Sequence, residues 1–162
     1  MKVKYNKKQF DDLKRVVDSL KEPIDKKTAD SLGVQVVIQM KRLIRGGISP
    51  IKSIGRFPRY KNPDRYPGEQ KPKTPVNLTL TGKFQDALTF ETIKVKSGHA
   101  PRIGYDSPKE EAKERGHREG ANGQPMRPTI PSVSKGEEFA ATIQRIISAI
   151  FKERIKQLLK RK

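Results

Sequence analysis

The sequence predicts an α+β fold made of N-terminal helices, a small antiparallel β-sheet and a long C-terminal helix, with a long basic loop. Three observations predict it: apolar residues recur at helical spacing towards both ends of the chain, a proline-rich stretch interrupts them, and a β-rich run follows. A chain of 162 residues is about the size of one domain. We therefore expect one domain, with a helical part over 1–47, the loop over 48–75, and the sheet and closing helix over 76–162.

The N-terminal part predicts two helices. Apolar residues spaced three and four apart predict the first helix over about 7–21. The second helix follows Pro23 and is expected to end at Gly46-Gly47, because glycine readily takes the left-handed conformation that terminates helices. The apolar positions of this second helix are Ile24, Ala29, Leu32, Val36, Val37, Met40, Leu43 and Ile44.

Residues 48–75 are expected to form a long exposed loop, because six prolines interrupt any regular ladder of hydrogen bonds. The stretch 41–73 contains ten Lys and Arg against two acidic residues. Such a loop could contact DNA phosphates, or it could pair with an acidic neighbour, and both interpretations stay open. The candidate contact residues are Lys52, Arg56, Arg59, Lys61, Arg65, Lys71 and Lys73.

The second half of the chain predicts two strands and two helices. Residues 89–96 and 101–105 are β-rich, and Pro108 stands where the first turn of a short helix tolerates proline. A continuous apolar stripe from Phe139 to Leu159 predicts the C-terminal helix. Ser134 and Glu137 have the spacing of a capping box, which predicts the start of that helix.

The residues that chemistry would need are scarce, so we expect a non-enzymatic protein with no catalytic residue, cofactor or metal. The absence of Cys removes disulfides, thiol nucleophiles and thiolate metal sites. His99 and His117 are not at metal-binding spacing, and no glycine-rich phosphate loop occurs. The glutamates of residues 110–114 alternate with cations and predict a solvated helix face.

The totals indicate partners of negative charge. Lys and Arg number 36 against 18 Asp and Glu, which gives a net charge of +18. Hydrophobic residues are only 33% of the chain, so part of it is expected to become ordered against neighbours. No stretch approaches the roughly 18 apolar residues of a membrane-spanning helix, so no membrane partner is expected.

Three segments, in this order, resemble the bacteriophage tail-completion proteins, also called head-tail joining or virion morphogenesis proteins of the neck. They are residues 80–88, residues 103–120 and residues 126–131, and the agreement in order and spacing extends over about half of the chain. Phe84 departs from the family pattern, which usually has Leu there. The residues that carry the resemblance are Thr81, Gly82, Phe84, Gly104, Tyr105, His117, Gly120, Arg127 and Pro128.

The resemblance implies a structural subunit of the virion neck, made in the host cytoplasm, that completes the tail and joins it to the head. It implies a cyclic ring of identical subunits, such as a hexamer, with other neck, connector and tail proteins as partners and genomic DNA as a further candidate in the lumen. A DNA-binding virion protein and a tail terminator or tube subunit are the alternatives. We expect the loop 48–75 and the helix within 1–22 to make the ring contacts, because both are too polar to fold alone.

Two of these motifs have an expected physical role. Gly82, after Thr81, permits a tight bend, because glycine accepts backbone angles that other residues resist. Arg127 is expected to bind a carboxylate or carbonyl groups, either within the subunit or across to the next one.

Overall fold

The structure is a computed structural model that describes residues 24–59, 76, 78, 82–96 and 98–160. Its elements confirm the predicted α+β class, whereas the helix predicted over 7–21 lies outside the described residues. In chain order the elements are the helix α1 (Lys26–Arg45), the short helix α2 (Lys83–Asp86), the strands β1 (Leu88–Val95) and β2 (Gly98–Tyr105), and the helices α3 (Pro108–Glu119) and α4 (Ala141–Lys160). Two 3₁₀ turns, Ala121–Gly123 and Val133–Lys135, connect α3 to α4.

The helix α1 lies at the centre of the fold and ends where predicted, whereas Ile24, assigned to it from the sequence, precedes it and pairs with Gly98. It begins after Asp25, whose carboxylate accepts the N–H of Thr28 at 2.8 Å and so satisfies one of the free donors of the first turn. It ends at the predicted glycine pair, where Gly47 has a φ of +73°. Its buried side chains share one face of the helix: Ala29, Leu32, Val36, Val37, Met40 and Ile44.

The strands β1 and β2 form an antiparallel hairpin that packs on α1. Leu88 lies opposite Tyr105 and Val95 opposite Gly98, so β2 begins three residues before the predicted start. Phe90 contacts α1 closely: a Cβ atom on Gly33 would lie 2.2 Å from the ring of Phe90. Because successive side chains alternate between faces, the other face of the hairpin points away from α1.

The first part of the predicted loop is not an exposed loop. Ile51 is fully buried and Phe57 is 6% exposed, and both lie among the core residues. Backbone contacts hold this stretch in place, since Ile51 pairs with Phe139 and the N–H of Lys52 donates to the carbonyl of Glu138 at 2.9 Å. The expectation of a loop too polar to fold is therefore wrong for residues 48–59, because isolated apolar residues between the prolines pack into the core. Residues 60–75 of the predicted loop lie outside the described residues.

The helix α4 closes the fold along α1. Ile143 is fully buried, and Ile147, Ile150 and Phe151 pack against the core, as the apolar stripe predicted. The guanidinium of Arg154, near the end of α4, lies 2.8 Å from the carboxylate of Asp25, which stands just before α1. The first described helix and the last therefore run side by side.

The predicted start of α4 is wrong. The helix begins at Ala141, whereas Ser134 lies in a separate 3₁₀ turn that ends at Gly136, with a φ of +62°. The carboxylate of Glu137 accepts the N–H of Ser132 at 2.8 Å and does not cap α4. The capping-box spacing was present, but the positive φ of Gly136 ends the local turn before the helix begins.

Candidate functional site

Aromatic residues from the first two resembling segments meet in the interior. The ring of Phe84, on α2, stacks on the ring of Tyr105, at the end of β2, with centroids 4.8 Å apart. The ring of His117, on α3, meets the ring of Phe84 at an angle, with centroids 5.4 Å apart. Three elements of the chain are therefore joined by aromatic contacts between these motif residues.

The third resembling segment packs against α3 and completes what we call the joint, the cluster of Phe84, Tyr105, Glu114, His117, Arg118, Arg127 and Thr129. The N–H of Arg127 donates to the carbonyl of His117 at 2.7 Å. The hydroxyl of Thr129 donates to Glu114 at 2.5 Å and lies 2.7 Å from the hydroxyl of Tyr105. Because a threonine hydroxyl has one hydrogen, Tyr105 is the donor in its contact with Thr129.

Glu114 is the central acceptor of the joint, with 6% of the residue exposed. Its carboxylate accepts the N–H groups of Thr129 at 3.1 Å and Ile130 at 3.3 Å, and the guanidinium of Arg118 at 3.2 Å. A buried carboxylate is stable only when such donors replace water. The prediction of a solvated acidic face is therefore wrong for Glu114, because Thr129 and Ile130 cover it. It is also wrong for Glu110, which is 5% exposed.

Arg118 connects two carboxylates across the joint. Its guanidinium donates to Glu137 at 3.0 Å and to the carbonyl of Ile130, in addition to Glu114. Desolvation alone would lower the pKa of Arg118. Its hydrogen bonds and ion pairs with Glu137 and Glu114 outweigh this effect, so the pKa of Arg118 is raised. For the same reason the pKa of Glu137 is lowered despite desolvation, by the N–H of Ser132 and the guanidinium of Arg118. Burial raises the pKa of the Tyr105 hydroxyl well above its ordinary range.

Arg127 is bound inside the subunit. The residue is 1% exposed, and its guanidinium donates to the carbonyls of Pro58 at 3.0 Å and Arg59 at 2.9 Å. Both of these partners are carbonyl groups of the same chain, one of the expected arrangements. The neighbouring Pro128 is also held, because its carbonyl accepts the hydroxyl of Ser49 at 2.8 Å.

The glycines of the resembling segments, Gly82, Gly104 and Gly120, differ in whether the backbone conformation requires glycine. Gly82 has a φ of +80° and Gly120 a φ of +66°, so the backbone itself favours glycine at both positions. A Cβ on Gly120 would in addition lie 2.7 Å from the carbonyl oxygen of Gln124. At Gly104 the φ is ordinary and a Cβ would meet nothing within 4 Å. Thr81 lies outside the described residues.

The structure describes three of the seven basic candidates from the loop. Lys52, Arg56 and Arg59 are exposed, and the ammonium group of Lys52 is bound to the carboxylate of Glu138 at 2.9 Å. The other candidates, Lys61, Arg65, Lys71 and Lys73, lie outside the described residues.

Sequence reasoning missed Glu114, Arg118 and Thr129 as members of the joint. The spacing of Glu114 and Arg118, four residues apart on one helix, was a usable signal for their ion pair. The sequence contains no signal that residues 126–131 would cover that pair.

The joint can hold several segments of backbone in fixed positions, since its donors and acceptors are directed at other parts of the chain. Within the described part, no group of three or more His, Asp or Glu side chains could hold a metal ion. No helix of that part is long and apolar enough to cross a membrane. No family model, curated protein or solved structure matches the chain.

Proposed function

We propose that the chain is a structural subunit of a phage neck that completes the tail and joins it to the head by forming a ring. The observation that carries this proposal is the joint. The segments that resemble tail-completion proteins are separated along the chain, yet Phe84, Tyr105, His117 and Arg127 all belong to one interior cluster. Convergence of the resembling residues supports their interpretation as one structural unit.

The hairpin supports assembly with further copies. Among the described residues the sheet has two strands, and α1 supports the face that packs on it, so the opposite face is left for a neighbour. On its outer face, the side chains of Thr89, Glu91 and Val95 are exposed. A neighbouring subunit that covered this face would bury the second side of the hairpin. In a ring, one face of each copy contacts a different face of the next copy.

Gly104 identifies the part of the outer face where we expect the neighbour. It alternates with Ile103 and Tyr105, which pack on the core side, and it lies opposite Thr89 in a shallow groove that Glu91 and Arg102 also line. Glycine weakens a strand, and nothing within the described part of the chain requires it here. Close approach of another backbone is a physical reason for glycine inside a strand.

The proposed contact face differs from the one expected from sequence. Ile51 and Phe57 belong to the core, so these apolar side chains of residues 48–59 are not available to a neighbour. The exposed cations of that stretch, Lys52, Arg56 and Arg59, stay candidates for contacts at the rim of an interface.

Light scattering after size-exclusion chromatography, with electron microscopy of the same fractions, tests the ring. The wild-type chain is expected to form a closed ring, and Gly104→Gln is expected to give monomers with an unchanged circular dichroism spectrum. Val133→Gln is the control, because Val133 is 94% exposed and belongs to the 3₁₀ turn Val133–Lys135 and not to the hairpin. A wild-type chain that stays monomeric at all concentrations would overturn the ring, and intact rings of Gly104→Gln would overturn the contact face.

A second candidate function is DNA binding within the virion. It is favoured by one observation, the exposed cations on the outward face of α4. A tail terminator or tube subunit is the third candidate. Labelling of the chain in intact particles, followed by electron microscopy, separates a position at the neck from one along the tail.

A further inference from the structure

One face of α4 carries a stripe of four cations, which we call the α4 stripe: Arg145, Lys152, Lys156 and Lys160. All four are exposed. At 3.6 residues per turn they lie within about 80° of one another around the helix axis, spread over about 22 Å of its length. The side chains of Ile143, Ile147 and Ile150 occupy the opposite face and pack against the core. The stripe therefore points away from the body of the subunit.

The cations of the α4 stripe are not neutralised by the fold. Among the described residues none of the four makes an ion pair or a hydrogen bond, whereas Arg154 on the core side is bound to Asp25. The helix contains one acidic residue, Glu153, at the edge of the stripe. Uncompensated cations on one face raise the local concentration of anionic partners.

The residues beside the first two of these cations permit close approach. Three of them, Ala141, Ser148 and Ala149, are small and exposed, so a partner can reach Arg145 and Lys152 without being held off by bulky neighbours. All five residues line one shallow groove along this part of the helix. The groove therefore leaves the N-terminal half of the stripe open to a partner.

We infer that the α4 stripe binds the phosphate backbone of duplex nucleic acid. A stripe about 22 Å long exceeds the width of the major groove, about 12 Å, so it can reach phosphates on both sides of the groove. Ammonium and guanidinium groups bind phosphates regardless of sequence, so binding should be non-specific and dependent on salt. The inference develops the second candidate function, DNA binding, and is independent of the ring, because a single chain would bind through the same face.

An acidic protein fits the N-terminal half of the stripe less well than a nucleic acid does. Protein interfaces depend on a buried apolar or aromatic centre surrounded by polar residues. The half of the stripe around Arg145 is flanked by small residues, and the large exposed apolar side chains near the stripe, Ile155 and Leu159, flank its C-terminal half. Phosphate contacts need no apolar centre.

The test compares two variants of the full chain with equal changes in charge. The stripe variant is Arg145→Gln, Lys152→Gln and Lys156→Gln, and the control is Lys94→Gln, Lys96→Gln and Lys109→Gln, which are exposed residues elsewhere. Fluorescence anisotropy with a short duplex DNA of mixed sequence is measured between about 50 and 200 mM salt. The stripe variant is expected to bind more weakly, with a salt slope shallower by about 0.9 for each lost contact, whereas the control keeps the wild-type slope.

A measurement on the wild-type chain keeps the test independent of the variants. Bound duplex is expected to protect Lys152, Lys156 and Lys160 from acetylation more than Lys94 and Lys96. Equal slopes for the two variants, or equal protection of all these lysines, would overturn the inference.

Two further results would reassign the stripe to a protein partner and also overturn the inference. One is displacement of the duplex by polyglutamate as effective as displacement by unlabelled duplex. The other is loss of the ring in the stripe variant, measured by light scattering, which would place the stripe between copies of the chain. Retention of duplex binding by a monomeric Gly104→Gln variant would support the inference even where the proposed ring contact is disrupted.

Discussion

Thr129 is bound to Glu114 by two groups, its backbone N–H at 3.1 Å and its hydroxyl at 2.5 Å. The pair connects the segment after α3 to the middle of α3 itself. A carboxylate leaves water at a high free-energy cost, which these hydrogen bonds and the ion pair with Arg118 offset. The joint therefore holds charges that only their partners stabilise, and loss of one partner should lower the stability of the fold.

Replacement of Glu114 by Gln should destabilise the fold by about 2–4 kcal/mol. The amide keeps the shape of the side chain, but it loses the charge that binds Arg118 and part of the capacity to accept the N–H groups of Thr129 and Ile130. Urea unfolding followed by circular dichroism measures the change. Glu111→Gln, an exposed position of the same helix, is the control and should stay within about 0.5 kcal/mol. Equal stability of the two variants would show that Glu114 is not the central acceptor.

Replacement of Tyr105 by Phe should remove one hydrogen bond, to Thr129, and keep the stacking on Phe84. At neutral pH the expected loss is about 0.5–1.5 kcal/mol.

The pH dependence of this variant is more specific. Burial raises the pKa of the Tyr105 hydroxyl, so above about pH 10 the unfolded chain ionises this group first and stability falls as the pH rises. The difference in stability between the wild type and Tyr105→Phe should therefore narrow above about pH 10. Unfolding curves at several alkaline pH values test this, and a constant difference would contradict the raised pKa.

Glu137 should make stability sensitive to acid. Its pKa is lowered by the N–H of Ser132 and the guanidinium of Arg118, so its contribution is present above the unfolded pKa of about 4.3 and is lost as the pH falls through the folded pKa. Glu137→Gln should cost about 1–3 kcal/mol at neutral pH and progressively less in acid. Thermal unfolding of the two chains as a function of pH checks it, with Glu119→Gln, an exposed position, as the control.

Gly33→Ala should separate α1 from the hairpin. The new Cβ would lie 2.2 Å from the ring of Phe90, and overpacking of this kind costs about 1–3 kcal/mol. Gly104→Ala is the matched control, because a Cβ there meets nothing within 4 Å, and its effect should stay within about 0.5 kcal/mol in dilute solution. Phe90→Leu combined with Gly33→Ala should recover part of the loss. If Phe90→Leu recovers none of the lost stability, the strain does not arise between residue 33 and the ring of Phe90.

The sequence predicted the elements whose signals are local. The glycine pair at the end of α1, the apolar stripe of α4 as far as Phe151 and the position of Pro108 each depend on neighbouring residues, and each is confirmed. The stripe was also predicted to include Ile155 and Leu159, which are exposed. The start of β2 was missed because Gly98 to Ala100 have little β propensity, and they join the ladder because they lie opposite the end of β1.

The remainder depended on contacts between distant residues. Ile51 and Phe57 stand alone among prolines, so no periodic pattern predicts that they are buried. Ile51 is buried where it pairs with Phe139, shortly before α4. Glu114 likewise looks like a surface glutamate in its own helix. Its burial is set by residues 126–131, and local patterns carry no information about which segment covers a helix face.

The pairing of α1 with α4 constrains when the subunit can fold during its synthesis. The apolar face of α1 is synthesised before Ile143 and the rest of the α4 face that packs on it, which lie much farther along the chain. Contacts so distant along the chain slow folding and leave apolar surface uncovered in the meantime. The side of the core that contains Ile143 therefore stays open until α4 has been synthesised.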